Sequence, residues 1–251
     1  MLLEVTPSKP PWLISKINVC PSLTDQIKSK YPDHILRLTY INHSRCHHPA
    51  TFLYSDGSKT DAGVGYAVHS SIGNIQRKIN SIATTFSAEL LAIREAIELA
   101  NDTVDIQSFV LATDSRSAIQ AINSLNTKHP IVNHIRDLII SSEKSFTLCW
   151  VPSHVGVEGN ERADSMARAA AEDLLTTPLS LPRSDFKSHI KSKIKEAWRT
   201  TWRDGLEPNK LREILPTIPS KYSMPYSRQW GVKLTRLKIG HTRLTHKHLM
   251  S

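Results

Sequence analysis

The chain has 251 residues, 39% of them hydrophobic, and a formal net charge of +9. That length supports one large or two smaller domains, and no apolar run approaches the roughly 20 residues of a membrane-spanning helix, so no membrane partner is expected. The three cysteines, Cys20, Cys46 and Cys149, are odd in number and far apart, which argues against a disulfide framework and for a reducing compartment.

The opening MLLEVTPSKPPWLISK lacks the charged start and apolar block of a signal peptide. An intracellular location, cytoplasmic or nuclear, is therefore expected. Residues 1–48 read as a Pro-rich leader or linker, because Pro7, Pro10, Pro11, Pro21 and Pro32 interrupt every apolar run. A short amphipathic helix fits Leu23 to Lys30. His43, Cys46, His47 and His48 crowd together and invite a zinc reading. Without a cysteine pair at ligand spacing, the cluster reads instead as a polar linker.

Thr51 to Asp56 reads as the first strand. Phe52, Tyr54 and Asp56 share a face, and Gly57 follows as a turn. Val64 to Ser70 and Asn74 to Ser81 complete an antiparallel meander. Phe86 to Asn101 follows as a helix, with Phe86, Leu90, Ile93 and Ile97 as its apolar stripe and Glu95, Glu98 and Asp102 facing away. Phe109 to Asp114 is a nearly all-apolar fourth strand, expected to be buried on both faces. Helices are expected over Ser115–Leu125 and from Pro130 to about Glu143. A fifth strand, Phe146 to Val151, then leads through a loop with two glycines to a helix over Asn160–Asp173. Three hairpin strands followed by alternating strands and helices give an α/β fold, a five-stranded mixed sheet covered by helices.

Beyond Pro178 and Pro182 the composition changes. Up to Pro182 the chain carries 16 Lys and Arg against 18 Asp and Glu; from Arg183 on it carries 16 against 5, a net of +11. Ser184 to Asp204 is helical by period, with Phe186, Ile190, Ile194, Trp198 and Trp202 on one side and lysines and arginines on the rest. Residues 176–251 form a basic, partly helical C-terminal extension, the footprint of a nucleic-acid contact or of a solvated tail.

The acids carry the chemistry. Asp56 and Asp114 each end a strand; alone, the first is a turn-capping residue and the second a helix N-cap. Glu89 lies in line with Ile93, Ala96 and Ala100, and Asp164 with Ala167 and Ala171, so both face inward, where a carboxylate is awkward. A helix-dipole contact, the alternative for these two, predicts exposed acids. Four carboxylates at one end of a sheet repel each other and rise in pKa unless a cation joins them. Hard oxygen ligands point to Mg²⁺, with Mn²⁺ an alternative, rather than to zinc. Two such ions about 4 Å apart can act on a phosphodiester. His154, in the loop VPSHVGVEGNERAD ahead of Asp164, is placed to move a proton or help product leave.

SDGS, TTFSAELLAIREAI, LATDSRSAIQAI and WVPSHVGVEGNERADSMA, in that order over about Thr51 to Asp173, resemble the type 1 ribonuclease H domain. The resemblance implies a domain over residues 49–175 that cleaves the RNA strand of RNA/DNA hybrids and leaves 5′-phosphate and 3′-hydroxyl ends. It implies Asp56, Glu89, Asp114 and Asp164 as ligands of two Mg²⁺ ions, and His154 as the proton-handling residue. More narrowly, the chain is similar to the ribonuclease H of non-LTR retrotransposon polyproteins, where LTRLKIGHTRLTHKHLM resembles the segment before a Cys/His knuckle. A polyprotein fragment or a decayed copy is therefore expected, with a reverse transcriptase domain or chain as a partner. One departure from the cellular enzymes is that Leu125 to Phe146 has room for one helix and none for a basic protrusion. The span Ala50 to Leu175 carries 10 Lys and Arg against 15 Asp and Glu, so the metals and the tail must attract the polyanion.

Three other readings compete. A transposase or integrase shares the fold and the metal logic, but the TFSAELLAIREAI helix directly after three strands and the His154 loop argue against it. A catalytically silent hybrid-binding remnant is the second. A sugar-kinase-like ATPase, suggested by Asp56-Gly57-Ser58, lacks a second phosphate loop.

Overall fold

The computed structural model describes residues 17–20, 31–47, 49–124, 126–205, 217 and 227–238. In chain order the elements are β1 (Asn18–Val19), α1 (Asp33–Arg45), β2 (Thr51–Lys59), β3 (Val64–Ser70), β4 (Gly73–Ile79), α2 (Thr85–Asn101) and β5 (Ser108–Thr113). Then come α3 (Arg116–Asn123), α4 (Pro130–Ser141), β6 (Ser145–Trp150), α5 (Glu158–Glu172), α6 (Arg183–Asp204) and α7 (Arg228–Lys238). The expected helix over Leu23–Lys30 and most of the segment after Val232 lie outside the described residues.

Among the described residues the sheet has six strands in the order β1-β6-β5-β2-β3-β4. β2, β3 and β4 form the antiparallel meander, while β5 pairs in parallel with β2 and β6, and β1 in parallel with β6. The fold is thus the α/β mixed sheet read from the sequence, with one strand more than the five expected. The sixth is a two-residue strand in the presumed leader, too short to leave a periodic signal.

The Pro-rich region also contributes a helix. Leu36 and Tyr40 of α1 are buried in a cluster with Val110, Ala112, Cys149 and Trp150. Residues 33–45 therefore cover one face of the sheet rather than forming a linker. Leu36 and Tyr40 stand four apart, one helical turn, and polar neighbours dilute the pattern. α5 covers the same face farther along, over β2 and β3. Its alanines approach so closely that a Cβ on Gly65 would lie 2.4 Å from the Ala171 amide nitrogen. The opposite face carries the larger core, where Leu90, Leu91, Ile93 and Ile97 of α2 meet Leu53, Val68, Leu111, Leu148 and α4's Ile131 and Ile135.

Two local readings change. β2 does not turn at Gly57 but runs on to Lys59, with Gly57 paired to Tyr66. Glu95 does not face away: it is buried, and Tyr66 Oη donates to its Oε1 at 2.9 Å while Arg94 Nη2 donates at 3.1 Å. A stripe wide enough to cover β3 includes position 95, and those donors offset the burial of its charge.

The chain divides into two units, Met1–Lys187 and Ser188–Ser251. The first takes in the start of the presumed extension, because Leu181 and Asp185 are buried and Phe186 packs against the core. Thr84 caps α2 by accepting from Ser87 N at 3.2 Å, and its hydroxyl donates to Asp185 Oδ1 at 3.1 Å. Within the second unit, Ile190, Ile194 and Trp198 of α6 and Trp230 of α7 are exposed.

Candidate active site

Asp56 and Asp114 meet because their strands are adjacent and parallel. Register pairs Ser55 with Thr113, so each acid sits one residue beyond the same rung. Asp114 is left to face the site because the next residue caps α3 instead: Ser115 Oγ accepts from Ala118 N at 3.3 Å. The indole of Trp150, at the end of the neighbouring β6, donates to the Asp114 carbonyl at 3.0 Å and fixes the backbone there.

Glu89 arrives from α2, just past its first turn. Gly57 makes this possible, since a Cβ there would lie 2.4 Å from the Glu89 amide nitrogen and 2.7 Å from the Ala88 carbonyl carbon. The glycine read from sequence as a turn is therefore a gap in the sheet surface that admits the helix backbone. One carboxylate oxygen each from Asp56, Glu89 and Asp114 lies within 4.8 Å of the others.

Such a cluster is costly for the bare protein. Burial, then the charges of Asp114 and Asp164, push the Asp56 carboxyl up to about 7. Burial, then Asp56, Asp114 and Asp164, push Glu89 well above the usual carboxylate range. Burial also raises Asp114, against the lowering influence of His154. Glu89 Oε2 is buried with no hydrogen-bond partner among the described residues. An orphaned carboxylate oxygen facing two more acids is what a hard divalent cation resolves, so these residues fit one.

Asp164 and His154 sit beside this centre as a second group. Asp164, at 17% side-chain exposure, pairs with Arg168 at 2.7 Å. His154 Nδ1 stands 3.8 Å from Asp164 Oδ2 and 3.9 Å from Glu161 Oε2. Asp164 is close enough to Asp56, Glu89 and Asp114 to raise the pKa of each, although it does not share their three-way contact. His154 adopts φ 56°, in the left-handed region, a strained setting for a histidine that concentrates at functional sites.

Two residues of the loop and helix were not singled out in the sequence. Glu161 accepts from Gly156 N at 3.2 Å and so ties the loop beside His154. Asn160 is buried and its amide hydrogen-bonds the Asp114 carboxylate. The signal was their place in NERAD: Glu161 is three residues, about one helical turn, before Asp164, and a buried Asn in a first turn needs a partner.

A mixed sheet whose two central parallel strands each carry an acid one residue beyond their last shared rung, with a third acid from the helix covering them, defines a ribonuclease H-like α/β fold. The RNase H family model matches residues 48–172, and this part of the chain belongs to that family.

Proposed function

We propose that the chain is an endoribonuclease that cleaves the RNA strand of RNA/DNA hybrids with the help of two Mg²⁺ ions, Mn²⁺ being an alternative. The observation that carries this reading is the convergence of Asp56, Glu89 and Asp114 around the orphaned Glu89 Oε2 inside the segment matched to RNase H. Asp56, Glu89 and Asp114 would hold one ion, and Asp164 with Asp56 a second. Bound there, the ions supply positive charge and Lewis acidity toward a scissile phosphodiester.

The chain's own residues do the rest. Asn160 orients Asp114, and Arg168 holds Asp164. His154 has Nδ1 toward Asp164 and Glu161, which leaves Nε2 to give a proton to the departing 3′-oxygen or to take one from water. Hydrolysis places the water oxygen on phosphorus and breaks the P–O3′ bond, giving 5′-phosphate and 3′-hydroxyl ends. The four sequence blocks followed by LTRLKIGHTRLTHKHLM support an origin in a non-LTR retroelement polyprotein, with a reverse transcriptase as partner.

The test is strand selectivity of the full chain. The RNA strand of a hybrid should be cut and duplex DNA left intact, because the 2′-hydroxyl distinguishes the strands. Replacing the ribonucleotides around the scissile bond with deoxyribonucleotides should stop cleavage. An unchanged rate would favour the transposase-like reading, and binding without cleavage of any substrate would favour the silent remnant.

His154→Ala should lower kcat by about 10²- to 10⁴-fold and leave KM nearly unchanged, as expected for a residue that handles protons or departing product. Steady-state kinetics on a hybrid substrate measure both. A large rise in KM with kcat intact would make His154 a phosphate-binding group instead.

A further inference from the structure

Apart from the carboxylates, the fold gathers a second set of metal-type donors. Cys20 directly follows β1 and extends its pairing, with Cys20 N donating to Leu148 O at 2.8 Å. The next residue on β6 is Cys149, so the two cysteines face each other across adjacent strands, and their side chains are hydrogen-bonded. Both are buried. Above them lies the last turn of α1, held to the sheet by Leu36 and Tyr40. His43 projects from that turn, and its Nε2 contacts Cys20 Sγ. The donor atoms of Cys20, His43 and Cys149 all lie within 4.8 Å of one another.

A fourth donor stands beside His43, next to the three-way group and not within it. His47 is one turn beyond His43, and the two Nε2 atoms are 3.1 Å apart. Two histidine nitrogens on a tetrahedral zinc, each about 2.0–2.1 Å from the metal, are separated by roughly 3.3 Å. The spacing in the structure is already close to that geometry. His43-x3-His47 is also a spacing common among zinc-binding histidines.

We propose that Cys20, Cys149, His43 and His47 form a structural zinc site that ties α1 and β1 to β6. Soft sulfur with imidazole nitrogen selects zinc over the hard cations suited to the Asp56 cluster. Two thiolates and two neutral imidazoles around Zn²⁺ sum to zero charge, which suits an environment where Cys20 is 3% exposed and Cys149 is 0% exposed. Four protein donors leave no open position, so the site is structural and not catalytic. It also supplies what the local structure lacks. A two-residue strand such as β1 makes too few hydrogen bonds to hold itself in place, and zinc would pin it to the sheet along with the helix above. β6 continues from Cys149 into Trp150, whose indole braces the Asp114 carbonyl, so the same staple steadies one wall of the acidic centre.

The experiment uses the full chain purified under reducing conditions without chelator. Elemental analysis should find one zinc per chain that survives extensive dialysis. Replacement by Co²⁺ should give tetrahedral visible bands with thiolate-to-cobalt charge transfer. Cys20→Ser and Cys149→Ser should each lower the charge-transfer intensity by about half or more and lose the tightly held equivalent. Cys46→Ser, at an exposed cysteine whose thiol donates to Asn42 O, should keep both. The wild-type spectrum decides the matter even if the cysteine variants do not fold. Absence of zinc together with no thiolate band in the cobalt-loaded wild type would overturn the proposal. So would a Cys20–Cys149 disulfide found by mass mapping, or a thiolate band of full wild-type intensity in both serine variants.

Discussion

Asp56→Asn is expected to abolish Mg²⁺-dependent hybrid cleavage, by about 10³-fold or more, and at the same time to raise the melting temperature of the metal-free protein. The first effect follows from removing a ligand shared by the proposed ions, whose charge stabilisation is worth several kcal/mol, at about 1.4 kcal/mol per tenfold in rate. The second follows from the electrostatics of the apo site. Asp56 is buried beside Asp114 and Asp164, and its carboxyl titrates near 7 in the fold against 3.8 ordinarily. Between those values the folded chain retains a proton that the unfolded chain has released. Stability therefore falls as pH rises across that window and levels off above it. Asparagine keeps the shape and carries no titrating charge, so this part of the pH slope should vanish. At pH 8 a gain of ~2 kcal/mol would shift Tm by roughly 4–8 °C for a chain of this size. Added Mg²⁺ should stabilise the wild type and have little effect on the variant. Glu89→Gln and Asp114→Asn should follow the same pattern in activity. Thermal scans from pH 5 to pH 8 with EDTA, beside cleavage assays, measure both effects. Wild-type cleavage in any of the three variants would remove the assignment.

The opposition between activity and stability explains why the acids are legible in the sequence at all. A carboxylate on the buried face of a strand or helix violates hydrophobic patterning, and periodicity exposes the violation. Asp56 stands in register with Phe52 and Tyr54, and Glu89 in line with Ile93 and Ala96. What periodicity cannot reveal is which neighbour takes over a residue's bland role. Asp114 and Ser115 are both plausible N-caps, and the structure gives the cap to Ser115. Gly57 reads as a turn because glycine usually marks one; its actual use, admitting the α2 backbone to 2.4 Å of where a Cβ would lie, is a tertiary fact. Glu95 reads as solvent-facing in the sequence because its partner Tyr66 lies 29 residues away. The cysteine and histidine cluster shows the same limit more strongly. His43 lies in the last turn of α1 and His47 just past its end, but the two cysteines come from the end of β1 and from β6, separated by most of the domain. No local spacing rule joins Cys20 to Cys149. β1 is illegible for a related reason: two residues cannot display a period.

Removing residues 188–251 is expected to weaken hybrid binding steeply at low salt while leaving the chemistry intact. The removed part carries 14 Lys and Arg against 4 Asp and Glu, a net of +10, whereas Ala50 to Leu175 carries a net of −5. A phosphate backbone should therefore be drawn mainly to the basic unit. The cut belongs after Lys187 and not at the composition break near Pro182, because buried Asp185 accepts from Thr84 at the start of α2. α2 is the helix that delivers Glu89, so an earlier cut would disturb the acidic centre and confuse a binding defect with a catalytic one. Each phosphate neutralised contributes about 0.7 to 0.9 to the slope of log affinity against log salt. If the basic unit makes about six such contacts, the full chain should lose roughly 10³-fold in affinity between ~50 and ~200 mM salt. The truncated chain should show a much flatter dependence from a weaker starting point. It should still cleave at saturating hybrid with kcat close to that of the full chain, since Asp56, Glu89, Asp114, His154 and Asp164 all remain. Binding isotherms for both chains at two salt concentrations, with single-turnover cleavage at high substrate, separate the two roles. Coinciding isotherms would show that the charge of the basic unit serves solubility or a protein partner rather than the nucleic acid. A fall in kcat with unchanged affinity would place part of the catalytic machinery beyond Lys187.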